Sequence, residues 1–171
     1  MAQASTRWNG MPHRLWLGYE AIVDTAAVTL FASMVAVTTA GVFSRYVLNA
    51  ALPWAEEADR YLFIWLSFVG ASITMRHKAH IAVDILVRSF SPALREWVAL
   101  LSHGCVLAFL TIVFSASGQV IEVTSHTRTT ATDVPMSWVY LAVPVGCLLI
   151  AVETLRLAVG TLQRIVRGGQ P

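Results

Sequence analysis

Long apolar runs with few charges constrain this chain more than any other feature of its sequence. Hydrophobic residues occupy 56% of its 171 positions and charged residues only 13%. The hydrocarbon core of a bilayer is about 30 Å thick, which about 20 helical residues can span. Runs near that length cover residues 21–43, 61–75, 97–117 and 138–159. Because a helix satisfies its backbone polar groups internally, these runs predict an all-α integral membrane bundle of four transmembrane helices.

The four runs are not equivalent. The second is short, and it reaches spanning length only if it begins near Ala58, with the preceding acidic residues at the membrane surface. Pro144 lies inside the fourth run, where it predicts a kinked helix. The first run exceeds the roughly 7–15 apolar residues of a secretory signal, which predicts an uncleaved signal anchor.

Lys and Arg residues are distributed unequally between the two sides of the predicted bundle. One side carries nine cations: Arg7, Arg14, Arg76, Lys78, Arg88, Arg95, Arg156, Arg164 and Arg167. The opposite side carries only Arg45, Arg60 and Arg128. Since cations beside membrane spans are retained in the cytoplasm, both termini and the second loop are predicted to be cytoplasmic. This gives a cytoplasmic tail at 1–20, a membrane domain at 21–160 and a basic cytoplasmic tail at 161–171.

Charge and cysteine content argue against several classes of protein. A formal net charge of +2 is far from the dense basic surface that nucleic-acid binding requires. Cys105 and Cys147 both lie inside apolar runs and supply neither a disulfide framework nor metal-ligand spacing. The chain also lacks a Gly-rich phosphate loop, so the sequence does not predict an enzyme.

Histidine positions give little support to a cofactor site. His103 is the only histidine well inside a predicted span, and a haem with two axial imidazoles needs a second one at matching depth. His77, His80 and Asp84 have helix-like spacing, but they lie in a cationic stretch. We predict no cofactor and no metal, with a four-helix haem protein or an autonomous small carrier as the alternatives.

Charged residues near the ends of the spans are predicted to be structural. Asp24 lies in the first turn of its predicted span, where the positive helix end favours a carboxylate, and Arg156 is its predicted partner. Glu153 and Arg156 are three residues apart and are predicted to pair. Since no charge falls at the middle of a predicted span, the chain alone is not expected to be a transport pathway.

The second helix opens with an acidic group that follows Pro53. Acidic side chains suit a helix amino terminus, and Arg60 has the spacing to pair with Glu56. Trp54 is typical of a side chain at the membrane surface. The group therefore predicts the start of a helix at the edge of the bilayer.

Small and large apolar residues predict different surfaces. Ala32, Ala36 and Ala40 recur on the first helix, and Ser67 and Ala71 on the second, giving faces suited to close helix packing within or between chains. Large side chains are predicted to face lipid or a partner subunit: Phe63, Leu66, Phe68, Phe109, Ile112 and Phe114.

The stretch from residue 45 to residue 84 has a specific order of residues. It contains Arg45, Tyr46, Asn49, Pro53, Trp54, Glu56, Glu57, Arg60, Leu62, Phe63, Trp65, Phe68, Gly70, Ala71, Arg76, His80, Ile81, Val83 and Asp84. This pattern resembles the DctQ-type small membrane subunit of tripartite ATP-independent periplasmic (TRAP) transporters. From about residue 89 onward the resemblance consists only of two further spans.

The resemblance implies a three-part secondary transporter in the bacterial inner membrane. A large permease would carry substrate and sodium, a periplasmic solute-binding protein would deliver an organic acid such as a C4-dicarboxylate, and this chain would brace the permease. The matched positions are expected to act in structure or at the subunit interface: Trp54, Glu56, Glu57, Arg60, Arg76, His80 and Asp84.

Overall fold

The computed structural model describes residues 13–76 and 92–166, and these residues form a helical protein. Its helices are α1 (His13–Tyr46), α2 (Pro53–Arg76), α3 (Pro92–Thr124), α4 (Met136–Tyr140) and α5 (Ala142–Val166). Within the described ranges the only β pairing is an isolated bridge between Arg128 and Pro135. The predicted all-α class is confirmed.

Three stretches of the described chain are long and apolar enough to cross a membrane. They are Trp16–Tyr46, Leu94–Thr124 and Met136–Val166, which correspond to the first, third and fourth predicted spans. Each is longer than its predicted span because the helix continues through flanking charged residues. Helix α2 has a less apolar composition, since charged residues fill its first two turns.

The fourth span is interrupted between α4 and α5, as Pro144 predicts. The ring of a proline conflicts with the carbonyl four residues earlier, which here belongs to Tyr140, the last residue of α4. The backbone N–H of Leu141 donates to Ser137 at 2.9 Å, and that of Val145 donates to Leu141 at 3.2 Å. These two hydrogen bonds link α4 to α5 across the break.

A tight turn joins α1 to α2. The Ala50 N–H donates to the Ser44 carbonyl at 3.1 Å, and the Ser44 hydroxyl donates back to the Ala50 carbonyl at 2.6 Å. Asn49 has a φ of 52°, a left-handed conformation that asparagine adopts more readily than most residues. The turn lets α2 return along α1.

The helices pack in the spatial order α1, α2, α5, α3. Helix α2 contacts α1 on one side and α5 on the other, and α5 also contacts α3. In the described ranges, α1 and α3 thus occupy the two edges of a row, an arrangement more open than a closed ring of four helices. A row exposes more helix surface than a ring of the same four helices.

Small residues allow the close approach of α2 and α5. A Cβ atom at Gly146 would lie 2.5 Å from Phe68 Cδ1 and 2.6 Å from Phe68 Cβ. Fully or almost fully buried neighbours include Ser72, Ala142 and Thr154. Phe68, predicted to face outward, is therefore half-buried against α5, because a glycine opposite it leaves space for its ring.

The outer surface of the row is strongly apolar. Phe63, Phe109, Ile112 and Phe114 are exposed, in agreement with the sequence prediction. The small residues Ala32, Ala36, Ala40, Ser67 and Ala71 are exposed as well. Among the described residues, these small side chains are therefore not buried between helices.

Candidate functional site

Arg76, the last residue of α2, joins three helices through its guanidinium group. Its Nη1 atom donates to both carboxylate oxygens of Asp24 in α1, at 2.9 and 3.1 Å. Its Nε atom donates to Glu153 Oε1 in α5 at 3.3 Å. The side chains of Arg76 and Glu153 are only 9% and 1% exposed, so this is a buried ion pair.

Arg156 extends the same group of charges along α5. Its Nη1 atom lies 3.2 Å from Glu20 Oε1 and 3.8 Å from Glu153 Oε2. Its guanidinium carbon lies 4.2 Å from the centre of the Trp16 ring, a cation–π distance, and the Trp16 indole donates to Glu20. We call Glu20, Asp24, Arg76, Glu153 and Arg156 the Arg76 cluster.

The cluster confirms one predicted pair and corrects another. Glu153 and Arg156 do approach each other on α5. The prediction that Asp24 pairs with Arg156 is wrong: Arg76 binds Asp24, because α2 packs directly on α1 and ends at this level. Glu20, one helical turn before Asp24, was not singled out in the sequence, although its spacing places it on the same side of α1.

The Arg76 cluster has exposed apolar side chains on one side, including Phe31 of α1 and Leu148 of α5. Beyond the cluster, exposed apolar side chains continue on α1 and α5, including Leu17 and Leu162. Glu153 falls near the middle of the Met136–Val166 stretch because α5 continues past the predicted end of the span. The expectation that no charge lies at the middle of the membrane stays a prediction, because this 31-residue stretch is longer than a hydrocarbon core and can be placed in it in several ways.

At the other end of α2, Glu57 binds the loop between α3 and α4. Its Oε2 atom accepts hydrogen bonds from the Ala131 N–H at 3.2 Å, the Thr132 N–H at 2.8 Å and the Thr132 hydroxyl at 2.8 Å. Desolvation raises the pKa of the Glu57 carboxyl, but the Tyr61 hydroxyl and the bonds from Thr132 and Ala131 lower it and prevail. The pKa of Glu57 is therefore below its ordinary value, which favours the ionised acceptor.

The loop has further internal bonds that hold it in position. The Thr129 N–H donates to the Val134 carbonyl at 3.1 Å, and the Val134 N–H donates to the Thr129 hydroxyl at 3.0 Å. The Thr129 and Thr132 hydroxyls lie 2.8 Å apart. Asp133 has a φ of 54° at the tip of this loop. We call Glu57 together with Thr129, Ala131, Thr132 and Val134 the Glu57 latch.

The remaining motif residues at this end surround an open cleft of about 480 Å³. Trp54, Glu56, Arg60 and Ala131 contribute to its lining. The predicted pair between Glu56 and Arg60 is wrong: Glu56 binds Arg45, which the turn after α1 brings across to α2. Arg60 is exposed beside the cleft and forms no ion pair with any residue in 13–76 or 92–166.

Two of the seven matched positions, His80 and Asp84, lie outside the described residues, as does His77. His103, the residue on which the haem alternative depends, is half-buried in α3. Its Nδ1 atom contacts the carbonyl of Ala99, one turn earlier in the same helix. This contact gives the imidazole a local hydrogen-bonding role.

Most of this chain matches one protein family and its members. The family described as "Tripartite ATP-independent periplasmic transporters, DctQ component" matches residues 34–164. The C4-dicarboxylate TRAP transporter small permease protein DctQ of Vibrio cholerae is 29% identical, with 80% of this chain and 71% of the relative covered. The protein of the same name from Rhodobacter capsulatus is 31% identical, with 64% of this chain and 49% of the relative covered.

A third relative is much longer than this chain. The sialic acid TRAP transporter permease protein SiaT of Haemophilus influenzae is 29% identical over 86 residues, which are 48% of this chain and 14% of the relative. These relatives are components of transporters and not enzymes. The resemblance first seen in residues 45–84 is confirmed, and the chain belongs to the DctQ-component family of tripartite ATP-independent periplasmic transporters.

Proposed function

We propose that this chain is the small permease subunit that braces the large permease of a sodium-coupled TRAP transporter importing an organic acid. The observation that carries this proposal is the family match over residues 34–164, which includes the last part of α1, all of α2, α3 and α4, and nearly all of α5. A C4-dicarboxylate is the proposed substrate, since two relatives are named for it. Because another relative is named for sialic acid, a substrate screen should also include other carboxylates.

The proposed partners are a large permease and, through the assembled complex, a periplasmic solute-binding protein. The match to SiaT supports the first partner, because the matched segment is a small part of a longer permease polypeptide. The open row of helices also supports it, since exposed large apolar side chains on α1 and α3 need lipid or protein around them. Sodium coupling and substrate movement are assigned to the large permease, so this chain is proposed to hold no cofactor.

We further propose that α2 also spans the bacterial inner membrane, so that the chain has four transmembrane helices. Its uncharged part, residues 61–75, is about 22 Å long, and the pairing of Arg76 with Asp24 and Glu153 extends the segment that lipid can surround. In this topology both termini and the second loop are cytoplasmic, with tails at 1–20 and 161–171 around the membrane domain at 21–160. The Glu57 latch then lies on the periplasmic side.

The matched residues are proposed to fix the ends of α2. Glu57 does so by binding the loop between α3 and α4, and Arg76 by binding α1 and α5. Trp54, Glu56 and Arg60 surround the cleft beside the latch, where a neighbouring subunit has access. His80 and Asp84 are proposed to fix the connection that follows α2.

Uptake measurements test the proposed function. The large permease is reconstituted in proteoliposomes with and without this chain, and the solute-binding protein and a labelled C4-dicarboxylate are added outside. We expect uptake that needs this chain, the binding protein and an inward sodium gradient. Full uptake without this chain would contradict the bracing role, whereas uptake of a different carboxylate would change only the substrate.

Cysteine accessibility tests the proposed topology separately. In a Cys105→Ser background, Ser5→Cys in the first tail and Ser125→Cys after α3 are labelled in intact cells with a membrane-impermeant maleimide. Ser125→Cys is expected to react through the periplasm, and Ser5→Cys only after the inner membrane is opened. Labelling of both sites in intact cells would contradict a cytoplasmic amino terminus.

A further inference from the structure

Three buried polar atoms near the Arg76 cluster have no hydrogen-bond partner among the described residues. They are the Tyr19 hydroxyl in α1, Arg76 Nη2 in α2 and Glu153 Oε2 in α5. The Tyr19 ring lies 5.0 Å from the Trp16 ring, and the Arg156 guanidinium lies 4.2 Å from the centre of that Trp16 ring, so Tyr19 is beside the cluster. One unpartnered atom is thus contributed by each of the three helices that the cluster joins.

The geometry of the Arg76–Glu153 pair explains two of these atoms. The Nε and Nη2 groups of an arginine lie on one edge of the guanidinium, where a carboxylate can accept two parallel hydrogen bonds. Here the bond from Nε to Glu153 Oε1 is formed at 3.3 Å, but Nη2 and Oε2 remain unpaired. Arg156 also approaches Oε2, but its Nη1 atom is 3.8 Å away and too distant for a hydrogen bond.

The three atoms match the bonding capacity of a single water molecule. Arg76 Nη2 can only donate, Glu153 Oε2 accepts, and the Tyr19 hydroxyl can do either. A buried water typically makes about three hydrogen bonds to polar groups that would otherwise be unsatisfied. A metal cation suits the site poorly because the donor edge of Arg76 points toward the same carboxylate.

We propose that one water molecule is bound between Tyr19, Arg76 and Glu153 and is a permanent part of the fold. It accepts a hydrogen bond from Arg76 Nη2, donates one to Glu153 Oε2 and shares a third with the Tyr19 hydroxyl. All three atoms are buried, so bulk water does not satisfy them. The water thereby links α1 to the contact between α2 and α5.

The substitution Tyr19→Phe tests this proposal, because the proposal predicts whether the melting temperature falls or rises. The ring stays in place beside Trp16, whose centroid is 5.0 Å away, and only the hydroxyl is lost. If the hydroxyl binds a water, its removal lowers the melting temperature, by about 3 °C if one hydrogen bond of ordinary strength is lost. If the hydroxyl has no partner, its removal relieves a buried unsatisfied group and raises the melting temperature.

Thiol reactivity of the full-length chain in lipid nanodiscs provides the measurement. In a Cys105→Ser background the remaining thiol is Cys147, which is buried and reacts with a fluorogenic maleimide when the helices separate. Tyr140→Phe, on the exposed Tyr140 of α4, is the matched control and is expected to change the melting temperature little. An unchanged or higher melting temperature for Tyr19→Phe would overturn the proposal.

An experimental density map of the wild-type chain in its complex provides a second test that does not depend on a variant folding. At a resolution that shows ordered waters, we expect a peak about 2.7–3.2 Å from Arg76 Nη2, Glu153 Oε2 and the Tyr19 hydroxyl. A direct hydrogen bond between Nη2 and Oε2 with no such peak would overturn the proposal.

Discussion

The two ends of α2 are held by different physical interactions. At the Arg76 cluster, three carboxylates and two guanidinium groups from three helices are cross-paired, and Arg76 and Glu153 are almost completely buried. At the Glu57 latch, one partly exposed carboxylate binds two backbone N–H groups and a hydroxyl of a loop. Charges inside an apolar zone are tolerated when they are cross-paired, whereas a single carboxylate can organise a loop at the surface.

This difference predicts that Arg76→Met has the largest effect of any single change. It leaves the buried Glu153 with only the more distant Arg156, and it removes the partner of Asp24. Breaking a buried ion pair in this way costs about 3–5 kcal/mol. We expect a corresponding loss of stability in thermal unfolding of the chain in nanodiscs, together with a lower yield of folded protein.

Two variants check that the loss of stability in Arg76→Met arises from breaking a buried ion pair. Arg95→Met removes a cation that is exposed on α3 and should change stability little. The double variant Arg76→Met with Glu153→Gln should lose less than the sum of the two single variants, because the carboxylate no longer carries an unpaired charge. Additive losses would contradict the assignment of Arg76 and Glu153 as a coupled pair.

The next largest effect is expected at Gly146 of α5. This glycine packs against Phe68, which lies between the two ends of α2. In Gly146→Ala, the added Cβ would lie within 2.6 Å of Phe68 Cβ, which a change of side-chain rotamer cannot relieve. Overpacking of this kind costs about 1–3 kcal/mol and should separate α2 from α5. Thermal unfolding measures the loss.

Gly104→Ala is the matched control, since nothing lies within 4 Å of a Cβ atom at Gly104. We expect it to be neutral or to stabilise α3 by about 0.5–1 kcal/mol, because alanine is the better helix former. Equal destabilisation by both variants would mean that the close contact of α2 and α5 does not control stability.

At the Glu57 latch, Glu57→Ala is expected to act locally. The N–H groups of Ala131 and Thr132 lose their acceptor, while the ion pairs at the other end of α2 remain. Amide hydrogen exchange at residues 129–134 should accelerate, on the order of tenfold, with little change in the central part of α5. Faster exchange along the whole of α2 would show that the latch supports the fold globally, and the contrast between the two ends would fail.

The latch also predicts a pH dependence. The pKa of Glu57 is lowered in the folded chain from an ordinary value of 4.5, so its stabilising contribution is complete above that value. The contribution decreases as the pH falls through the folded pKa and the carboxylate is protonated. The melting-temperature difference between the wild type and Glu57→Ala should therefore be constant between pH 6 and 8 and shrink toward pH 3.5. A difference that grows on acidification has the wrong sign for this site.

The sequence predicts the local features of this fold and misses those that depend on helix register. Three spans, the break before Pro144 and the Glu153–Arg156 pair follow from the length of apolar runs, proline chemistry and helical spacing. The partner of Asp24 does not, because it depends on how far α2 extends beside α1. Nor does the binding of Glu57 to Thr132, since 75 residues separate them and turn geometry decides their approach. Phe68 was assigned to the wrong surface for a related reason, namely that the space for its ring is provided by a glycine on another helix.

The smallest effect is expected at Arg128, within the loop that the latch binds. Its Nη1 atom lies 3.1 Å from Asp133 Oδ2, and the two side chains are 62% and 78% exposed. Solvent screens such a pair, so Arg128→Ala should change stability by about 0–1 kcal/mol, less than any variant above with a stated stability loss. Exchange at the Thr132 N–H should stay near the wild-type rate, because Glu57 still accepts its hydrogen bond. If Arg128→Ala instead releases the loop as Glu57→Ala does, then the loop is ordered by its exposed ion pair, and the carboxylate of Glu57 only adds to an arrangement that already exists.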